Sequence, residues 1–212
     1  MLRNLKTVQK ELKHHDFRVA IFGSARIAPD DKIYKSVFAL AKEIGKHGFD
    51  MVTGGGPGIM DAANAGHQAG DTKNLSDDIG LPIYLPWENE ANKHLEIKKN
   101  FKKFSSRLDH FMALSSVVVV MPGGIGTCLE LFYTWQLIQV KHIYPIPIIL
   151  VGEMWEELIK WIKKYPLKTG LISPPDLDHI FIAKTNKGAM EIILKTYKAF
   201  KEGKLHDNHK YL

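Results

Sequence analysis

Residues 117–130 read Val117-Val118-Val119-Val120-Met121-Pro122-Gly123-Gly124-Ile125-Gly126-Thr127-Cys128-Leu129-Glu130. The first five form a run too short and too β-branched to be anything but a buried strand. Beyond the glycines, Leu131, Thr134, Trp135 and Ile138 recur at the spacing of one helix face. The stretch is therefore a strand, a glycine-rich turn and a helix start, with a hydroxyl and a carboxylate in the first turns. Glycines let a ligand approach bare backbone N–H groups, and the helix N-terminus adds partial positive charge that favours an anion such as phosphate. Glu130 sets a carboxylate beside that anion site, where a pure phosphate cradle has no use for one.

The same alternation extends outward in both directions. Patterning predicts a helix near 3–14, a strand at Arg18–Phe22, a loop at Gly23-Ser24-Ala25-Arg26 and a helix near 31–47. A strand near Phe49–Thr53 runs into Gly54-Gly55-Gly56-Pro57-Gly58-Ile59-Met60 and another helix. A third strand is expected at Leu81–Leu85, then a helix near 93–114. Beyond the central motif follow a strand at Ile146–Val151, a helix near 153–163, a strand at His179–Ala183 and a helix near 187–201. Such alternation means an α/β domain: a mostly parallel central sheet with right-handed crossovers and helices on both faces, three layers in all. In sheets of this kind ligands bind at the carboxyl ends of the strands, where strand order reverses. The glycine-bearing loops after Phe22, Thr53 and Met121 all fall on that edge. The expected organisation is an N-terminal helix within 1–17, a single nucleotide-binding domain over 18–203 and a polar tail over 204–212.

Composition narrows the setting. The chain of 212 residues can bury a sizeable core, and no stretch is apolar for long enough to span a bilayer. The N-terminal residues lack the apolar run of a signal peptide. Cys128 is the only cysteine, which argues against a disulfide framework or a cysteine-based metal site and fits a reduced, cytoplasmic setting. The net charge of +6 suits phosphorylated small molecules and RNA equally. His14, His15, His206 and His209 lie in terminal segments without partners at metal-ligand spacing, and no metal site is expected from them.

The glycines do not spell a nicotinamide dinucleotide site. Residues 54–59 offer Gly54-x-Gly56, but Ile59 stands where the third glycine belongs, and the first strand ends in Gly23-Ser24-Ala25-Arg26. No Gly-Lys-Ser/Thr follows any of the turns, so a P-loop is excluded. A mononucleotide site is the better reading, although a simple helix-entry turn would produce the same glycines at 54–60.

The pair Gly54-Gly55-Gly56-Pro57-Gly58-Ile59-Met60 and Pro122-Gly123-Gly124-Ile125-Gly126-Thr127-x-x-Glu130 resembles the LOG family. These are phosphoribohydrolases that release cytokinin bases from riboside 5′-monophosphates, long labelled lysine decarboxylases. Gly23-Ser24-Ala25-Arg26 resembles the family's opening loop, and the likeness runs from about Arg18 to about Val151. The resemblance implies a Rossmann-like fold, a homodimer or larger homo-oligomer, and hydrolysis of the N-glycosidic bond of a nucleoside 5′-monophosphate without a metal or redox cofactor. The decarboxylase label would require a lysine in Schiff-base linkage to pyridoxal phosphate, and nothing in the sequence points to one. The stretch Leu81–Asn92 resembles a longer branch whose members act on ordinary nucleotides such as AMP and pyrimidine monophosphates, so cytokinin specificity does not carry over.

The resemblance implies Arg107 and Glu130 as catalytic residues, with Gly23, Ser24, Gly54, Gly55, Gly56, Gly58, Met60, Pro122, Gly123, Gly124, Gly126 and Thr127 holding substrate and phosphate. Breaking a ribosyl C–N bond builds positive charge on the sugar, which a carboxylate stabilises while it holds a ribose hydroxyl or orients water. Lys99, Lys103 and Arg107 recur at i, i+4 and i+8, with Phe104, Leu108 and Phe111 beside them. On one helix this would place Arg107 at the boundary of a basic and an apolar stripe, and a solvated basic face reads the same way. Thr127-x-x-Glu130 also satisfies a capping box, which would turn Glu130 away from substrate. Asp109 is a weaker candidate for protonating the leaving base, and Trp87 and Asn92 for lying near it. Leu108 and Leu129 depart from the family pattern. Two rival readings remain: a non-catalytic nucleotide sensor or carrier, and nucleic-acid binding through the 98–107 face. The latter is disfavoured because Phe101 and Phe104 read as buried.

Overall fold

The computed structural model describes residues 3–4, 16–84 and 91–205. Among these, eight strands form one parallel sheet: β1 (Arg3–Asn4), β2 (Arg18–Phe22), β3 (Asp50–Thr53), β4 (Asp78–Gly80), β5 (Ile97–Lys98), β6 (Val117–Val120), β7 (Ile148–Val151) and β8 (Ile180–Ala183). Their order is β1-β5-β4-β3-β2-β6-β7-β8. Helices α1 (Lys32–Lys46), α2 (Ile59–Gly70), α3 (Phe104–Leu114), α4 (Ile125–Gln139), α5 (Glu153–Ile162) and α6 (Asn186–Lys201) cover both faces. The central strands are buried on both sides, so alternate residues feed opposite cores. Ala20, Phe22, Val118 and Val120 pack with Leu131, Trp135, Trp155 and Ile159. Val19, Ile21, Val117 and Val119 pack with Val37, Leu40, Ile59 and Ile193. This two-sided burial is why these strands read as unbroken apolar runs. Among the described residues no helix is long and apolar enough to cross a membrane.

Strand order reverses beside β2, which pairs with β3 on one side and β6 on the other. The three glycine loops leave the carboxyl ends of these three adjacent strands, as the pattern predicts. Two expectations on the β4–α3 side need correction. The third strand is Asp78–Gly80 rather than 81–85. Leu81 still donates its N–H to the Thr53 carbonyl at 2.9 Å, but Pro82 has no N–H to continue the ladder. The helix expected near 93–114 begins only at Phe104. Leu95, Ile97 and Phe101 are buried in alternation, a strand period, and Ile97–Lys98 pairs with β4. Lys99 and Lys103 therefore do not share a helical stripe with Arg107. Lys103 is the extended N-cap of α3, and Lys99 lies before it, its ammonium against His110 Nε2.

Of the helix expected near 3–14, Arg3–Asn4 is instead a strand pairing with Ile97–Lys98, and the rest lies outside the described residues. So do Trp87, His14, His15, His206 and His209.

Candidate active site

A cleft of about 930 Å³ opens over the carboxyl ends of β2, β3 and β6. The three glycine loops form its floor and are stitched together by main-chain bonds. Ser24 N–H donates to the Pro122 carbonyl at 3.1 Å, and the Ser24 carbonyl accepts from Ile59 N–H at 2.9 Å. One residue of the first loop thus fixes both of the others.

Helix α4 starts at Ile125 with Gly124 as N-cap, and Gly124, Gly126 and Thr127 line the cleft. The first N–H groups of a helix have no intrahelical partner, so this turn presents donors and partial positive charge to the cavity. Thr127 is consequently the third helical residue and not the cap. The Thr127–Glu130 capping box does not form, and Glu130 faces Arg107 instead.

Arg107 is buried on α3, 7% exposed, and is held from two directions. Its Nε donates to the Leu81 carbonyl at 2.6 Å, and its Nη1 to Glu130 Oε1 at 3.1 Å. The guanidinium also lies 5.2 Å from the Phe111 ring centroid. Gly54 permits this placement, because a Cβ there would overlap Arg107 Nη2 and Met60 Sδ. Burial pushes the Glu130 carboxyl up to about 7, against the charge and hydrogen bond of Arg107, which pull it down. A carboxyl poised near neutrality beside an anion-binding helix end can carry negative charge toward a developing cation or accept a proton from water.

Gly23, Ser24, Gly54, Gly55, Gly56, Met60, Gly124, Gly126 and Thr127 line the same cleft as Arg107 and Glu130. Gly58, Pro122 and Gly123 stand behind that lining. Gly58, with φ of 67°, packs against Ser24 and Ala25; Pro122 accepts from Ser24; Gly123 backs onto Thr127. Asp109 accepts from the Tyr133 hydroxyl at 2.5 Å and is not among the lining residues.

The model of the family described as "Possible lysine decarboxylase" matches residues 60–193, more than half of the chain. The chain belongs to this family. A curated relative, the pyrimidine/purine nucleotide 5′-monophosphate nucleosidase of Escherichia coli K12, is 27% identical over 143 residues. The match covers 63% of this chain and only 30% of that protein's length. Among solved structures, a molybdenum cofactor binding protein from Rippkaea orientalis superposes with a TM-score of 0.63 at 18% identity, covering 88% of this chain and 99% of that one. The molybdenum cofactor carrier protein of Chlamydomonas reinhardtii gives 0.63 at 19%, covering 86% and 99%. These two likenesses establish the shared Rossmann-like fold.

In this LOG-like family member several cleft residues escaped the sequence reading. Phe104, expected to be buried, is 49% exposed at the start of α3 and lines the cleft, so the argument against nucleic acid loses one of its two aromatics. Tyr84, Lys98, Asn100 and Lys102 join it in the lining. Arg26, within the quoted opening loop, also reaches the lining. Asn92, considered as a base contact, instead bonds the second glycine loop: its main-chain N–H donates to the Gly55 carbonyl at 2.8 Å and its Nδ2 to that of Gly56 at 3.1 Å.

Proposed function

We propose that the protein is a phosphoribohydrolase that cleaves the N-glycosidic bond of a nucleoside 5′-monophosphate. The observation that carries this reading is the Arg107–Glu130 pair at the side of a cleft floored by three glycine loops and a helix N-terminus. Family membership and the nucleosidase relative point the same way, although the chain spans under a third of that relative. The 5′-phosphate would sit on the N–H groups at the start of α4, anchoring the ribose so that its anomeric carbon meets Glu130. As the C–N bond breaks, its electron pair leaves with the base, which takes up a proton from solvent, and Glu130 afterwards returns to solvent the proton it gains from the attacking water. The ionised Glu130 steadies the oxocarbenium-like sugar and takes a proton from the water whose oxygen bonds the anomeric carbon. The products are a free base and ribose 5-phosphate. Arg107 holds Glu130 in place and lowers the cost of its charge. A homo-oligomer working in the cytoplasm is part of the same proposal.

A carrier reading is favoured by one observation, the close likeness in fold to molybdenum cofactor carrier proteins. Base release separates the two. AMP, GMP, CMP, UMP and isopentenyladenosine monophosphate are incubated with the protein and with Glu130→Gln, and free base is measured by chromatography. Release from monophosphates but not nucleosides, abolished in the variant, supports the hydrolase and identifies the preferred base. Tight nucleotide binding without release from any of them overturns it in favour of the carrier.

A further inference from the structure

Below the Gly54–Gly56 loop, a chain of buried polar side chains runs away from the cleft into the space between α2 and β4. It starts at Thr53, whose Oγ1 accepts the Gly55 N–H at 3.0 Å and donates to Asn64 Oδ1 at 2.7 Å. Asn92 Nδ2, already bonded to the Gly56 carbonyl, donates to the same Asn64 oxygen at 3.0 Å. Asn64 Nδ2 donates to Asp78 Oδ1 at 2.9 Å, and Asp78 Oδ2 lies 2.7 Å from His67 Nδ1. His67 Nε2 faces the Phe49 carbonyl at 2.8 Å and Ser76 Oγ at 3.1 Å. Asn64, His67 and Asp78 are at most 2% exposed.

Donor and acceptor counting fixes the protons in this chain. A main-chain carbonyl only accepts, and the Ser76 hydroxyl already donates to Asp71 Oδ2 at 2.7 Å, so His67 Nε2 carries a proton. Asp78 Oδ1 accepts a hydrogen bond from Asn64 Nδ2, and the 2.7 Å contact of Oδ2 with His67 Nδ1 needs a proton between them. One proton is thus shared by His67 Nδ1 and Asp78 Oδ2, and Asp78 Oδ1 is left as an acceptor. Burial, which opposes charge on His67, is outweighed by the bond and charge of Asp78, and the histidine titrates above its usual range. An acceptor at Asp78 Oδ1 allows only one orientation of the Asn64 amide, nitrogen toward Asp78 and oxygen toward Thr53 and Asn92. Those two residues bond Gly55 and Gly56, which line the cleft.

We infer that Asn64, oriented by the His67–Asp78 pair, is a positioning residue that sets the conformation of the Gly54–Gly56 loop and thereby the affinity of the cleft for its nucleotide. The inference rests on the nucleotide reading for its ligand, but its first readout needs no ligand. Asn64→Asp opposes two carboxyl groups at this junction, whereas Asn64→Asp combined with Asp78→Asn restores it with acid and amide exchanged and the total charge conserved. Hydrogen exchange of the peptide carrying Gly54–Gly56 is compared among parent, single and double variants, followed by KM and kcat for base release from AMP. The single variant should exchange about tenfold faster in that loop but not in β6 or α6, the scale of a buried hydrogen bond left unmade. Its KM should rise about tenfold with kcat little changed, and the double variant should recover both. Thr53→Val, which removes both the acceptor of Gly55 N–H and the hydroxyl bond to Asn64 Oδ1, should loosen the same loop and serves if Asn64→Asp does not fold. Unchanged loop exchange in Asn64→Asp and Thr53→Val, or a double variant as defective as the single, overturns the inference. A parent that releases no base from any nucleotide overturns the hydrolase reading alone, because the loop comparison is independent of turnover.

Discussion

Arg107 Nη1 stands 3.1 Å from Glu130 Oε1, while the Nε of the same guanidinium is held at 2.6 Å by the carbonyl of Leu81. The arginine cannot follow the carboxylate freely, because one side of its fork is tied to the chain just beyond β4. Glu130 is thus paired by a group whose position the sheet dictates, and pairing offsets only part of the cost of its burial.

The pH dependence of turnover follows from that balance. In the proposed mechanism Glu130 acts as the ionised carboxylate, and burial lifts it to about 7, so kcat/KM for base release should rise with pH through about 7. Arg107→Gln removes the charge and hydrogen bond that pull the carboxyl down, so Glu130 should titrate higher than in the parent. Carboxyl carbon-13 NMR of both proteins reads the shift directly; a Glu130 titrating near 4.5 in either one contradicts the assignment.

Stability should move against activity at the same residue. Burial lifts the folded carboxyl to about 7 from the ordinary 4.5 of an exposed glutamate, so Glu130 favours the folded state fully below 4.5 and that contribution is lost as pH rises through about 7. Glu130→Gln removes the loss. At about pH 8 the variant should be more stable than the parent by on the order of 3 kcal/mol, with the gap closing below about pH 5. Base release should meanwhile fall by about 100-fold to 1,000-fold, the usual cost of removing a charge-stabilising group. Denaturant unfolding of both proteins at the two pH values checks the first half, and a gap between variant and parent no larger at high pH than at low pH rejects it.

The glycines of the third loop divide into two kinds. A Cβ at Gly124 meets no atom within 4 Å, whereas one at Gly123 would overlap the Thr127 hydroxyl and its Cβ. Gly124→Ala should therefore keep its melting temperature and lose nucleotide affinity, because the added methyl enters the open space proposed to hold the phosphate. Gly123→Ala should lose about 1–3 kcal/mol of stability, the range for overpacking a tight contact. Thermal unfolding and AMP titration of the two variants separate the roles; equal behaviour would refute the division.

What could be read in the sequence was whatever obeyed a single rule. β2, β6 and β7 are buried on both faces and appear as runs of apolar residues, and the glycine turns after β2, β3 and β6 marked the cleft. β4 was missed because its first residue is Asp78, a carboxylate that is buried only because Asn64 and His67 meet it there. β5 was hidden because Lys98 and Lys99 interrupt the alternation of Leu95, Ile97 and Phe101, and the basic residues suggested a helix instead. Arg107 and Glu130 came from motif resemblance, and their contact joins residues 23 apart on two helices, which no local pattern reports. Asn64 lacked any signal, and Asn92, expected near the base, gave none of its bonds to the glycine loop, since a buried amide chain shows itself only when the elements are assembled.

Gly54 tests whether the cleft positions Arg107 as tightly as its bonds suggest. A methyl group there would collide with Arg107 Nη2 and Met60 Sδ, both far ends of side chains, so Gly54→Ala should fold. Met60 has room to rearrange its flexible stem. Arg107 does not, because moving Nη2 away strains either the bond to Leu81 or that to Glu130. Gly54→Ala should therefore mimic loss of the arginine's function, lowering kcat/KM for base release by at least about tenfold, the scale of one displaced charged hydrogen bond. In a double-mutant cycle with Arg107→Ala the two effects should fail to add, because the second change removes the group that the first displaces. Additive losses would mean that Gly54 acts through the nucleotide and not through Arg107.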